Sequence, residues 1–357
     1  MTASVDWLPV AYAALMSASF LAYALMDGWD LGVGIFYPLV ARAPDRDHLL
    51  ETIAPFWDAN ETWLVLGGML LLLGFPLAYA VLLTKLYLPV FAMLFALVLR
   101  GVSYEFRQQG GRLREFWGHL FAASSVLAAF AQGCILGRVV EGIAETDSAS
   151  PIITAIRGTF PLACGVGLVG AYALLGACWV ILKTQGAVQV TAREVARSAL
   201  ILTVILLIVV SLFTPLVSPH VAHRWFASND GVLAAVAVVA GGVVIWRLWM
   251  SIWGSDDRRP LQWVIALFIL SFAGIAASVY PYVVPYGYTL FEAANDRKTL
   301  VFAAVGICIV LPVIVLYLAL GYRVFRGKSQ DPHPEATDIP CVSCRRTAGH
   351  EADLHPS

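Results

Sequence analysis

The chain has 357 residues, of which 59% are hydrophobic and 13% charged, whereas an ordinary soluble domain carries about 25% charged residues; a soluble globular enzyme is excluded. A formal net charge of -1 leaves no basic surface large enough to neutralise many phosphates, which sets aside nucleic acid as a partner. The six cysteines are too few for a disulfide scaffold, and Cys134, Cys164, Cys178 and Cys308 lie in apolar runs, where cysteine behaves as a small hydrophobe.

In chain order, uncharged apolar runs predict nine membrane-spanning helices: about 8–39, 57–83, 86–107, 116–138, 157–183, 198–217, 231–252, 262–284 and 299–325. No Lys or Arg precedes Arg42, so the first run lacks the basic region of a signal peptide and reads as a retained helix. Basic residues near span ends are held on the cytoplasmic side. Sixteen Lys and Arg fall in one set of loops and the tail, six in the alternate set, with Arg100 left inside a span. That alternation predicts an external N-terminus and a cytoplasmic C-terminus. The outward loops are short, the longest running over about 139–156, so a large ligand-binding loop would have to come from a partner. From Gly327 onward the chain is rich in Pro, Asp, Glu, His and Ser without an apolar period. This divides the chain into a membrane domain over 1–328 and a disordered cytoplasmic tail over 329–357.

A charge at bilayer depth costs a few kcal/mol even on the mildest scales, so each one needs a partner or a role. Here the charges concentrate in the first three spans. The first carries Asp27 and Asp30 within Asp27-Gly28-Trp29-Asp30-Leu31-Gly32-Val33-Gly34, and the i, i+3 spacing turns both carboxylates to one face. Gly28 and Gly32 form a small-xxx-small pair that admits a close neighbouring helix. The third span carries Arg100 and Glu105. Counted back from the cytoplasmic end at about 1.5 Å per residue, Asp30 lies roughly 14 Å and Arg100 roughly 10 Å deep, close enough to pair. Such a pair either fixes helix register alone or, with two acids to one Arg, handles protons.

The second span opens with Pro55-Phe56-Trp57-Asp58-Ala59-Asn60-Glu61-Thr62-Trp63. Asp58 and Glu61 in a first turn are favourable to the helix dipole and need mark only a helix start. Combined with Trp57 and Trp63 at the cytoplasmic boundary, they also form a candidate mouth for proton uptake. Ser124, Ser125 and Gln132 in the fourth span are weaker polar signals, and Tyr280, Tyr282 and Tyr286 among Pro281 and Pro285 read as interface anchors.

Haem held in a helical bundle needs axial ligands on facing helices, and none of His48, His119, His220, His223, His333, His350 and His355 falls in mid-span. No phosphate loop, nucleophile elbow or dinucleotide fingerprint is present. Cys341, Cys344, His350 and His355 offer four potential zinc ligands in the tail, but their middle spacing is far shorter than that of a zinc finger.

The two motifs of spans one and two, together with Arg100, Tyr104-Glu105-Phe106-Arg107 and Tyr280-Pro281-Tyr282-Val283-Val284-Pro285, resemble subunit II of the cytochrome bd ubiquinol oxidases. The resemblance extends to about residue 328. It implies an all-α polytopic membrane protein of nine helices, arranged as two four-helix bundles plus one peripheral helix, that forms a heterodimer with a similar subunit I. The partner would hold two haems b and one haem d, or a further haem b in its place, together with the quinol-binding loop. The complex would oxidise quinol on the outer side and reduce O2 to water with protons from the cytoplasm, separating charge without pumping. This chain, non-catalytic alone, would stabilise the haem-bearing assembly among the membrane lipids; a bound quinone and a small accessory subunit belong to the same expectation. Carried over by position, Asp58 with Trp57 matches the family's proton entry, and Asp27, Asp30 and Arg100 match its buried polar cluster. Trp29 and Leu290-Phe291-Glu292-Ala293-Ala294 are similar to the cyanide-insensitive branch. The competing reading is a proton-coupled secondary transporter, although such proteins repeat their broken helices in two halves, and spans five to seven hold no counterpart of the charges in spans one to three.

Overall fold

A computed structural model describes residues 7–142, 151–226 and 231–328. Cys341, Cys344, His350 and His355, and residues 143–150 of the predicted long outer loop, lie outside the described residues. The chain runs through α1 (Trp7–Phe36), a 3-10 turn (Tyr37–Leu39), α2 (Ala43–Glu51), α3 (Trp57–Gly74), α4 (Pro76–Lys85), α5 (Tyr87–Gln108) and α6 (Arg114–Glu141). It continues through α7 (Pro151–Lys183), α8 (Gly186–Val217), α9 (Pro219–Phe226), α10 (Gly231–Trp253), α11 (Arg259–Val279), a hairpin of β1 (Tyr282–Val284) and β2 (Tyr288–Thr289), and α12 (Arg297–Val324). Eight of these helices are long and apolar enough to cross a membrane, and α3 and α4 pass the same test only together, as a bent pair with the geometry of a broken span or of a re-entrant loop. The fold is therefore all-α and polytopic.

The predicted span 57–83 is not one straight helix: α3 and α4 meet at a bend of 120°. Pro76 cannot donate to the helical ladder, and its ring drives Phe75 out of the helical region, to φ -138 and ψ 64. The carbonyls freed at the break are taken by the segment before α12. Asn295 donates from its backbone to Gly74 O (2.9 Å) and from its side chain to Leu73 O (3.0 Å). Other boundaries also differ from the prediction. The helix expected from 198 starts at Gly186, because Arg193 and Arg197 interrupt the apolar run without interrupting the helix. The helix expected to reach 284 stops at Val279, where Pro281 ends it and the hairpin begins.

Helices α1, α3, α5 and α6 form one bundle and α7, α8, α10 and α11 the other, joined chiefly where α7 packs on α1 and α6. That joint is made by glycine. A Cβ on Gly32 would stand 2.7 Å from the Gly176 Cα, and one on Gly28 would stand 2.7 Å from the Tyr172 ring; the small-xxx-small stripe read in the sequence is the seam between bundles. Gly133 and Gly137 of α6 repeat the device against Cys164 and Pro161 of α7.

Helix α12 lies at the periphery. Only Leu300, Ile307 and Leu318 of it are buried, while Phe302 is 81% exposed. It is gripped at both ends. Tyr12 donates to Leu300 O (2.7 Å) at the start, and Lys183 donates to Phe325 O (2.6 Å) just past the finish. Beyond that point Lys328 reaches Asp257 (2.7 Å), which also pairs with Arg193 (2.6 Å). Burial alone would push the Asp257 carboxyl up, yet donors from Lys328, Gln189 and Arg193 hold it below its ordinary value of 3.8. A carboxyl held down in the folded state stabilises above its unfolded value, and that contribution is lost as pH falls through the folded value. The end of α12 is therefore expected to exchange its amide hydrogens faster at pH 3 than at pH 6, relative to α1, and Asp257→Asn to abolish that difference; a pH-independent pattern in the unmodified chain would refute the latch.

Candidate functional site

The buried charges converge between α1, α3 and α5. Asp27 is 0% and Arg100 1% exposed. A single guanidinium nitrogen, Arg100 Nη2, lies 2.6 Å from Asp27 Oδ1 and 2.6 Å from Glu61 Oε1. Taking such ions out of water costs several kcal/mol each, a cost offset only by close pairing and further hydrogen bonds. The expected pairing of Asp30 with Arg100 is not what forms. At about 100° per residue, three positions along α1 leave Asp30 some 60° around the helix from Asp27. Asp27 thereby meets Arg100, while Asp30 Oδ2 accepts from the Asn60 amide of α3 (2.7 Å).

Asn60 reaches further. Its side-chain nitrogen also meets Met26 O (3.2 Å), and its Oδ1 accepts from the Tyr322 hydroxyl of α12 (2.9 Å). Asp30 Oδ1 and the Nε and Nη1 of Arg100 are buried with no hydrogen-bond partner among the described residues. Leaving charged groups half-satisfied in the interior is costly, and such arrangements concentrate at functional sites.

The cluster is open on one side. Asp58 is exposed and Trp57 partly so. Glu61, one turn along α3, keeps 29% of its side chain exposed while touching Arg100, so carboxylates lead from the surface to the interior within a single turn. Trp57 leans on Tyr104 (5.3 Å between ring centres) and against Gly101. On another side, stacked aromatic pairs close the cluster off. Trp29 lies flat on Trp179 (4.8 Å) and Phe56 on Tyr322 (4.3 Å), with the Lys183 ammonium over both Trp179 and Phe56.

Of the candidates read from the sequence, Asp27, Asp30, Glu61 and Arg100 come together, with Asp58 and Trp57 at the edge. Glu105 does not join them. Five residues beyond Arg100, it is turned about 140° around α5 and is exposed. Asn60, Tyr322 and Tyr23 are additional members. Tyr23 stands one turn before Asp27, a spacing that could have flagged it; Tyr322 lies 262 positions from Asn60 and carries no such signal.

The described histidines do not suit axial ligation of haem. His48 lies in the short α2, His119 near the start of α6, and His220 and His223 in the short α9, so none faces a partner across the middle of a bundle. No group of three His, Cys, Asp or Glu able to hold a metal ion occurs among the described residues.

Comparison with known proteins agrees along almost the whole chain. Residues 8–325 match the family model described as cytochrome bd terminal oxidase subunit II. Subunit 2 of the cytochrome bd-I ubiquinol oxidase of Escherichia coli strain K12 is 24% identical, over 88% of this chain and 93% of that protein. Cytochrome bd ubiquinol oxidase subunit 2 of Bacillus subtilis strain 168 is 23% identical, over 90% and 96%. Among solved structures, a chain of the bd oxidase from Geobacillus thermodenitrificans superposes with a TM-score of 0.75 at 17% identity, covering 89% of this chain and 98% of that one.

Proposed function

Since the chain belongs to the cytochrome bd terminal oxidase subunit II family, we propose that it stabilises a haem-bearing subunit I and carries protons toward the site of O2 reduction in a quinol:O2 oxidoreductase of the bacterial cytoplasmic membrane. The haems, two b and one d or a further b, belong to the partner, in keeping with the poor haem ligation offered by this chain's described histidines. Quinol and O2 are substrates of the complex. A small accessory subunit and a bound quinone are compatible with the exposed apolar helices.

The observation that carries the proton-path reading is the continuity of carboxylates from exposed Asp58 through Glu61 to Arg100 and Asp27, with Asp30 beside them. In this reading Asp58 collects a proton at the cytoplasmic boundary, with Trp57 shaping the mouth. Glu61 passes it inward, while Arg100 compensates the carboxylates so that they can remain at membrane depth. Asp30, held by Asn60, is the inner acceptor. Proton uptake from the cytoplasm paired with quinol oxidation on the outer side makes the reaction electrogenic. The orientation rests on the bias of basic residues toward one end of the bundles. The transporter reading loses its footing with family membership.

Asp58→Asn removes the collecting group without changing shape. Quinol-driven oxygen consumption of the assembled oxidase is expected to fall about a hundredfold, the lower end of what losing a proton-transfer group costs, with haem content unchanged. Unimpaired turnover would remove the proton-path role and leave a structural one.

A further inference from the structure

Asn60 of α3 is wholly buried, and both ends of its amide are engaged. Its Nδ2 donates to Asp30 Oδ2 (2.7 Å) and to Met26 O (3.2 Å) of α1, and its Oδ1 accepts from the Tyr322 hydroxyl of α12 (2.9 Å). The second carboxylate oxygen of Asp30, Oδ1, is buried with no hydrogen-bond partner among the described residues. Building on the proton-path reading, we propose that Asn60, held by Tyr322, is a positioning residue that keeps Asp30 Oδ2 occupied and so leaves Oδ1 as the atom on which Asp30 takes up and releases its proton.

The choice of oxygen follows from which atoms donate. A primary amide carries two hydrogens at one end and an acceptor at the other. With both hydrogens directed at α1, Asn60 fills Oδ2 of an ionised Asp30 and leaves Oδ1 open. A proton arriving from the Glu61 side adds to a lone pair of Oδ1, and the carboxylate becomes a neutral carboxyl. Its Oδ2, now the carbonyl oxygen, still accepts from Asn60, so the charge changes while the hydrogen bonds of Asn60 stay made. A proton on Oδ2 would instead meet an amide hydrogen and require the amide to turn over. Tyr322 opposes that turn. Facing Nδ2, its hydroxyl hydrogen would lose its acceptor, and its ring lies flat on Phe56 (4.3 Å between ring centres) and edge-on to Trp29 (6.0 Å), neither of which offers an oxygen. An unmade buried hydrogen bond costs more than a made one contributes, and Met26 O would lose its Asn60 donor in the same turn. The ionisable groups around Asp30 are Asp27 of its own helix, Glu61 of α3, Arg100 and Tyr104 of α5 and Tyr322 of α12. From α7, Tyr172 packs on Gly28 and Lys183 lies over Trp179, while α6 brings Phe121 and Ser125 against Gly34 and α11 brings Phe268 against Tyr172.

Three variants in the assembled oxidase test this, with quinol-driven oxygen consumption and haem content measured side by side. Asn60→Leu empties Oδ2 and is expected, at full haem content, to lower turnover about tenfold, the scale of one hydrogen bond to a charged group. Tyr322→Phe keeps the ring and its stacking, removes only the donor, and is expected to lower turnover about fivefold, the scale of one neutral hydrogen bond. Added to Asn60→Leu it is expected to slow turnover no further, because Tyr322 acts through Asn60. Asn60→Asp gives a signature that a packing role would not, since the two side chains have one shape. A protonated carboxyl at this position donates to Asp30 and accepts from Tyr322 as the amide does, whereas an ionised one donates nothing and sets a like charge beside Asp30. Its turnover relative to the unmodified oxidase is expected to fall as pH rises. Unimpaired turnover in haem-replete Asn60→Leu overturns the proposal, as does a pH-independent ratio for Asn60→Asp. If neither Asn60 variant assembles, full turnover of Tyr322→Phe overturns it instead. Asp58→Asn separates the two levels: slowed Asp58→Asn with unaffected Asn60 and Tyr322 variants refutes the positioning of Asp30 alone, whereas unimpaired Asp58→Asn refutes the proton path on which it rests.

Discussion

Arg100→Leu is expected to prevent accumulation of the assembled oxidase. The guanidinium is the only cation within ion-pair distance of Asp27 among the described residues, and Asp27 is wholly buried. Deleting one partner of a buried pair costs about 3–5 kcal/mol, because the remaining charge is left without compensation, and Glu61 loses its partner in the same step. The expectation is little or no haem-containing complex in solubilised membranes, and a markedly lower thermal midpoint for whatever assembles. Neutralising the abandoned charge provides the internal control. Asp27→Asn on the Arg100→Leu background is expected to recover part of the assembly, with turnover still impaired. Full assembly of Arg100→Leu alone would refute the requirement for this pair.

The second large effect is steric and lies at the seam between bundles. A Cβ on Gly32 would collide with the Tyr172 carbonyl oxygen and stand 2.7 Å from the Gly176 Cα. Both obstacles are backbone, so no rotamer change relieves them and α1 must separate from α7. Overpacking a well-filled interior costs about 1–3 kcal/mol and sometimes more. Gly32→Ala is expected to lower the yield of assembled oxidase severely, and Gly32→Val to abolish it. Gly68, also helical but in α3, has nothing within 4 Å of its Cβ position; Gly68→Ala is expected to be neutral or slightly stabilising, since alanine is the better helix former by up to about 1 kcal/mol. Equal behaviour of the two alanine variants, measured as haem per unit of membrane protein, would contradict the seam.

Much of this architecture is legible in the sequence because a bilayer simplifies the physics. Backbone groups at depth must bond within their own helix, so long uncharged runs identify spans well, and the rarity of intramembrane charge directs attention to Asp27, Asp30 and Arg100. What escapes is geometry finer than a span. The apolar run over 57–83 does not reveal that Phe75 and Pro76 break it, since hydropathy is blind to backbone direction. Arg193 and Arg197 shorten the apparent start of α8 although both are comfortable in a helix that extends past the apolar layer. At the site, depth alone paired Asp30 with Arg100, and only rotation around α1 redirected that partner to Asp27. Glu105 is close to Arg100 in sequence, but the rotation around α5 turns it away from the cluster. Asn60 was visible in its motif without an assigned role, because its partners Asp30 and Tyr322 come from helices at opposite ends of the chain. The two-bundle arrangement followed from family resemblance rather than from any periodicity, and the glycine seam then supplies its physical cause.

Helix α12 behaves as a strut pinned at both ends, by Tyr12 at one and Lys183 at the other. A strut held in this way resists tilting far better than it resists twisting about its own axis. Tyr322 projects from it close to the lower pin, and its hydroxyl rests on Asn60, so a small twist would be felt in the cluster first as a stretched or released hydrogen bond. Whatever presses on the outward face of this helix thus acts with a short lever arm upon Asp30.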